Sequence, residues 1–318
     1  MKAVVCAYGE VGHACLQELL ALGADVGLVV THEDTPGETI WFSSVRDLAV
    51  SSGIRTIAPE DVNAPGVVGE IAGISPDYLF SFYFRQMIKP PLLAGASRGA
   101  LNLHGSLLPR YRGRAPVNWA ILHGEKESGV TLHYMDEKPD HGDIVGQREV
   151  AITRNDTAET LTRKLAAEAQ VLLRELYPAL DEGTAPRVPQ EHADSSYFGG
   201  RRPEDGRIDW ASGAEDIRNL VRAVTDPWPG AYSIFQDRKL YVWSAEVRPA
   251  LEGASPGCIL IDGEGAPVVA TGAGALELLE LTWEGGSRRA GTAWVREEGI
   301  ESGVRFGNAP SEAVGGGT

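Results

Sequence analysis

The amino-acid sequence predicts a two-part α/β protein: a parallel-rich sheet covered by helices on both faces, then a small β-barrel. Three observations carry this. In the first half, short apolar runs alternate with helical patterns. A polar stretch at 186–206, containing Gly and Pro, then interrupts the alternation. Beyond it come short strand-like runs separated by turns, with one helix among them. At 318 residues, 43% hydrophobic and 23% charged, the chain can build two globular cores.

Taken in order, residues 3–7 read as a buried strand, followed by the Gly9-x-x-Gly12 turn and a helix reaching residue 22. That turn lacks the full G-x-G-x-x-G spacing, so a plain tight turn is preferred to a dinucleotide loop. Strands are expected at 25–31, 78–82, 100–104 and 130–135, with helices at 45–52, 64–72 and 116–122. Continuous apolar strands of this kind belong in a parallel sheet buried on both faces. The clearest helix spans 158–181, with Leu161, Leu165, Leu172, Leu176 and Leu180 in one stripe; Asp156 and Glu159 suggest a capping box. Later come a helix at 214–224 and strands at 231–235, 239–247, 257–261, 267–271 and 275–281. The expected layout is a first domain over 1–188, a linker over 189–206, a second domain over 207–305 and a flexible tail over 306–318.

Lys and Arg total 29 against 44 Asp and Glu, a net charge of −15, which argues against a bulky polyanionic partner. Cys6, Cys15 and Cys258 form no C-x-x-C pair or Cys/His ligand set, so neither a disulfide framework nor a metal site is expected. The first apolar run is too short for a signal peptide, and no window approaches a membrane span. A cytoplasmic protein is expected, without membrane insertion; a homo-oligomer stays open.

The chemistry concentrates around residues 100–116. Alternation puts Asn102 and His104 on one strand face near its C-terminal end, where ligands bind in open α/β sheets. An amide beside an imidazole can supply a hydrogen-bond donor and a proton-transfer group to one reacting carbonyl. Arg110, Arg112 and Arg114 crowd the following loop, as solvated surface charge or as an anion site. Asp140 lies in a turn-rich segment; a carboxylate close to His104 would favour the imidazolium and raise its pKa. His141 is a weaker supporting candidate, His133 reads as structural, and His13, His32, His123 and His192 form no ligand spacing.

The run N-L-H-G-S-L-L-P-R-Y-R-G-R-A-P at 102–116, with P-D-H-G-D-I-V at 139–145, resembles the formyltransferase family that uses 10-formyltetrahydrofolate. F-G-G-R-R-P-E-D-G-R-I-D-W at 198–210 and R-A-V-T-D-P-W-P-G-A-Y at 222–232 extend the resemblance. Within the family, T-H-E-D-T-P-G-E at 31–38 and F-S-F-Y-F-R at 80–85 are most similar to the branch that formylates UDP-4-amino-4-deoxy-L-arabinose in lipid A modification and polymyxin resistance. That branch carries a C-terminal dehydrogenase domain with no counterpart in this sequence.

The resemblance implies a Rossmann-like first domain and an OB-like second one. It implies that Asn102 stabilises the transition state, that His104 donates a proton and that Asp140 raises the His104 pKa. It assigns folate contacts to Gln86, Met87, Ile88, Arg114, Asp136, Glu137, Lys138, Pro139 and Asp140. The formyl donor would be 10-formyltetrahydrofolate, without a metal, and the acceptor a nucleotide-linked amino sugar. Methionyl-tRNA is the rival acceptor. It is disfavoured by the acidic total and by the absence of Lys and Arg from 33–44.

Overall fold

A computed structural model of the chain describes residues 1–307. It divides into two compact units, one made of 1–120 and 125–200, the other of 121–124 and the chain from 201. None of the helices described is long and apolar enough to cross a membrane.

The first unit contains β1 (Lys2–Ala7), α1 (Gly9–Ala21), β2 (Asp25–Val30), α2 (Val45–Ser51), β3 (Thr56–Ile57), α3 (Pro65–Ile74), β4 (Tyr78–Phe82), α4 (Pro90–Leu93) and β5 (Gly99–His104). It continues with β6 (Arg112–Gly113), α5 (Pro116–Leu122), whose end lies beyond the unit's boundary, β7 (Glu127–Tyr134), β8 (Ile144–Ala151), α6 (Ala158–Glu182) and β9 (Tyr197–Phe198). Seven strands form one sheet in the order β3-β2-β1-β4-β5-β7-β8. β1 to β5 pair in parallel, whereas β7 and β8 are antiparallel to their neighbours, so the sheet is parallel-rich and not uniformly parallel. β8 has no apolar run to mark it: it is an edge strand of alternating exposure whose Arg148 pairs with Glu168 and Glu175 of α6.

One sheet face buries Val4, Cys6, Leu28, Val30 and Leu79 with Ile71 of α3 and Leu92 of α4. α1 and α6 pack together, joined by the bidentate Arg174–Glu18 pair. At the start of α1, Gly9 adopts φ +70, and a Cβ on Gly12 would lie 3.0 Å from the Phe82 carbonyl oxygen. These glycines therefore let the helix begin directly against β1 and β4, in keeping with a tight turn. The cap of α6 is Thr157, whose hydroxyl accepts from Thr160 N. Asp156, expected as the cap, instead accepts from Thr153 and pairs with Lys164.

The stretch expected as a linker is largely structured. β9 pairs in parallel with β6, and Gln190 is buried, so the first unit runs through residue 200. A linker composition hid this because the strand is two residues long and the segment is otherwise polar.

The second unit contains α7 (Ala214–Val224), β10 (Ala231–Phe235), β11 (Arg238–Arg248), β12 (Ile259–Ile261), β13 (Pro267–Ala270), β14 (Ala275–Trp283), β15 (Arg289–Ala290) and α8 (Gly291–Glu298). Its antiparallel sheet runs β10-β11-β14-β13-β12, with β15 on β14. Bridges Ile234–Gly307 and Cys258–Arg305 join the C-terminal segment to the β10 and β12 sides, which closes the sheet as a small barrel. The expected tail thus begins too early. Phe306 is buried, stacked on Trp210 at 4.8 Å and set against Phe235 at 5.3 Å; the remainder of that stretch, 308–318, lies outside the described residues. Phe306→Ala is expected to destabilise this unit by about 3–5 kcal/mol, measured by denaturant unfolding.

Candidate active site

A cavity of about 470 Å³ opens in the first unit at the C-terminal ends of β4 and β5. This is the crevice end of an open α/β sheet, beside β1, where the chain reverses its order of strand addition. The lining includes Asn102, Leu103, His104 and Gly105 from β5 and its exit, Tyr83 to Ile88 after β4, and Gly113 to Pro116. Ser81, His133, Met135, Asp136, Lys138, Pro139 and Asp140 complete it.

Asn102 and His104 share a face of β5, as the alternation requires. His104 is buried, and its Nε2 lies 2.7 Å from the Tyr111 carbonyl oxygen. A carbonyl only accepts, so Nε2 carries a hydrogen and Nδ1 is the nitrogen left for other work. Nδ1 lies 3.5 Å from Asp140 Oδ1. Asp140 in turn accepts the Gly113 backbone N–H at Oδ2, 2.8 Å, and sits 3.4 Å from Asn102 Nδ2. Burial would push the Asp140 carboxyl up, but the His104 charge, the His133 side chain and the Gly113 N–H outweigh it. Together they hold it well below the usual carboxylate range. Asp140 is therefore a fixed negative charge 3.5 Å from His104 Nδ1.

The sequence reading missed His133. It is 1% exposed, faces the same cluster from β7, and places Nε2 3.1 Å from Asn102 Nδ2 and 3.6 Å from Asp140 Oδ1. Its Nδ1 donates to the Tyr134 carbonyl at 2.8 Å, so in the neutral ring Nε2 offers a lone pair to the Asn102 amide. This orients the amide with its N–H groups on the cluster side. The antiparallel register, which sets Asn102 opposite His133, could not be read from either strand alone.

Of the loop arginines, Arg110 pairs with Glu125, and Arg112 is buried against Gln190 and His192. The Arg114 guanidinium makes no hydrogen bond or ion pair among the described residues, although its backbone N–H is held by Phe198. It lines the cavity and is the one loop arginine open to an anion. Gln86 lines the cavity too, but its side chain is committed to Val62 N at 2.7 Å and Pro59 O at 3.1 Å, leaving only its main chain to a ligand. Met87 is 58% exposed and Ile88 is buried. Glu137 is exposed and is not among the residues that line the cavity. His141 pairs with Asp136 at 2.7 Å and stacks on His192 at 4.1 Å, behind the site.

The acids after β2 are engaged, and one of them reaches the cavity-lining Arg85. Glu38 pairs bidentately with Arg85, Asp34 accepts from the Tyr8 hydroxyl, and Glu33 pairs with Arg46. His32 stacks on Phe84 at 4.2 Å and accepts the Arg85 backbone N–H.

The formyl transferase family model matches residues 4–176, and the formyl transferase C-terminal domain model matches residues 201–299. Among solved structures, the fold is similar to WlaRD, a sugar 3N-formyl transferase in the presence of dTDP and 5-N-formyl-THF. Identity is 21%, over 87% of this chain and 97% of that one, with a TM-score of 0.66. It is also similar to an N-formyltransferase from Helicobacter canadensis in complex with folinic acid and dTDP-3-aminofucose: 20% identity, 87% and 98% coverage, TM-score 0.66. A third is HypX from Aquifex aeolicus in complex with tetrahydrofolic acid, at 18% identity and TM-score 0.63 over 97% of this chain. The chain spans about half of HypX, 51% of its length. With both family models matched in order along one chain, the protein belongs to the formyl transferase family.

Proposed function

We propose that this protein transfers the formyl group of 10-formyltetrahydrofolate to the amine of a nucleotide-linked amino sugar. UDP-4-amino-4-deoxy-L-arabinose is the first acceptor to test. The observation that carries this reading is the convergence of Asn102, His104 and the ionised Asp140 on one cavity, with neighbouring contacts of 3.4 and 3.5 Å.

The residues present fit a folate. The cavity combines apolar surface from Met87, Ile88, Leu103 and Met135 with main-chain groups at 86–88, and has an unpaired guanidinium at Arg114 that suits a carboxylate. When bound, 10-formyltetrahydrofolate supplies the formyl carbon as electrophile. In the net change, the acceptor nitrogen forms a C–N bond to that carbon, the donor C–N bond breaks, and a proton passes from the amine to the donor nitrogen. Asn102 offers an N–H to the carbonyl oxygen as negative charge gathers there. His104 Nδ1 gives a proton on the leaving side and recovers one from the amine. Asp140, a fixed negative charge 3.5 Å away, holds that nitrogen in place for both transfers.

A sugar nucleotide is preferred to tRNA because of the net charge of −15 and the absence of Lys and Arg from 33–44, which leaves that stretch no cation for an RNA backbone. The dTDP and dTDP-3-aminofucose named for the two sugar-formylating relatives favour a second reading, a dTDP-linked amino sugar, within the same class. Arg114→Ala is expected to raise the KM for 10-formyltetrahydrofolate about tenfold, with kcat nearly unchanged, as befits loss of one charge-assisted bond made equally in ground and transition states. Steady-state kinetics with the acceptor saturating measures this.

A further inference from the structure

We infer that Gln190 is a positioning residue for Asp140, so that the segment between the two family-matched regions belongs to the reacting machinery; the inference rests on the formyl-transfer reading above. Gln190 lies outside both matched ranges, 4–176 and 201–299, and it is 5% exposed. Its Nε2 donates to the carbonyl of Asp140 at 3.0 Å and to that of Gly142 at 2.7 Å. Its Oε1 accepts from Arg112 Nη2 at 2.6 Å and from Nε at 3.2 Å. The amide has one workable orientation. A guanidinium only donates and backbone carbonyls only accept, so the oxygen must face Arg112 and the nitrogen must face the loop.

The held carbonyl is no ordinary one. Asp140 has φ +52, in the left-handed region, where a non-glycine residue persists only if its surroundings hold it. Gln190 brackets that residue by gripping its own carbonyl and the one two residues on. The same stretch of chain controls the other end of Asp140. The carboxylate is held by Gly113 N–H, and Gly113 is fixed because Arg112 N donates to Ser196 O and Arg114 N to Phe198 O, at 2.8 and 2.9 Å. A Cβ on Gly113 would lie 2.3 Å from that Phe198 oxygen, so the approach needs glycine. Residues 190–198 therefore set both the backbone and the carboxylate of Asp140, and through it the 3.5 Å separation from His104 Nδ1.

Gln190→Glu separates positioning from folding. It keeps an acceptor, now charged, for the buried Arg112 guanidinium, but removes both N–H donors from the loop. The expected result is a denaturation midpoint close to that of the wild type, with kcat lowered about 10- to 100-fold by the displaced carboxylate. Both KM values should stay within about threefold. Added to Asp140→Ala, the same change should cost at most about a further twofold, because it acts through a group already gone. Amide hydrogen exchange at 136–143 should accelerate about tenfold or more in Gln190→Glu, with β7 unchanged. A wild-type kcat in Gln190→Glu, or a full additional loss on top of Asp140→Ala, would overturn the role. Unchanged exchange at 136–143 would overturn it too, by a readout that does not depend on turnover. If the wild type formylates no acceptor, the functional reading fails, and the exchange measurement still decides whether Gln190 holds the loop.

Discussion

Asn102→Ala is expected to lower kcat about 100- to 1000-fold, the range found when a single donor to a developing oxyanion is removed. The physical reason lies in how the amide is aimed. His133 Nε2 draws one Asn102 N–H at 3.1 Å, and Asp140 lies 3.4 Å from the same nitrogen. The amide is thus oriented before substrate arrives, and the N–H on the longer 3.4 Å contact to Asp140 is the one able to turn to the carbonyl oxygen as charge develops. Because the bond strengthens only in the transition state, kcat and kcat/KM should fall together while the KM for folate stays within about threefold. Asn102→Asp keeps the shape but sets a second carboxylate beside Asp140, and should be at least as damaging. A rise in KM alone would place Asn102 in ground-state binding and remove it from the oxyanion role.

Asp140→Asn is expected to lower kcat by on the order of 100- to 10,000-fold, through the state of His104. The Gly113 N–H must still be accepted, so the new amide would turn its oxygen to Gly113 and its NH2 toward His104 Nδ1. With Nε2 already donating to Tyr111, an NH2 facing Nδ1 selects the lone-pair form and removes the transferable proton. Stability supplies an independent check. A carboxyl whose folded pKa lies below its unfolded value stabilises the fold above the unfolded value, and that contribution is lost as pH falls through the folded one. The wild type should therefore lose stability relative to Asp140→Asn as pH drops below about 4. Denaturant unfolding of both proteins across that window measures it.

Much of the fold was legible because it depends on local periodicity. The run at 78–82 and the helix at 214–224 match β4 and α7 residue for residue. What stayed hidden depends on partners distant in sequence. β8 is an amphipathic edge strand held by ion pairs to α6, and β9 exists only because β6 lies beside it. Asn102 and His104 were readable as a pair because two residues on one strand share a face. Asp140 was readable only as a carboxylate in a turn-rich segment, and its distance to His104 is a property of the fold. His133 looked structural because strand burial gives no hint of which side chain lies across the ladder. Gln190 looked like linker because one buried amide leaves no pattern in a polar segment.

The most direct measurement is product formation by the wild type. The full chain is incubated with 10-formyltetrahydrofolate and a panel of UDP-, dTDP- and GDP-linked amino sugars, with initiator methionyl-tRNA as a parallel acceptor. One amino-sugar nucleotide is expected to gain the mass of a single CO group, with release of an equal amount of tetrahydrofolate. Formylation of methionyl-tRNA with no sugar modified, or folate turnover that yields only formate, would contradict it.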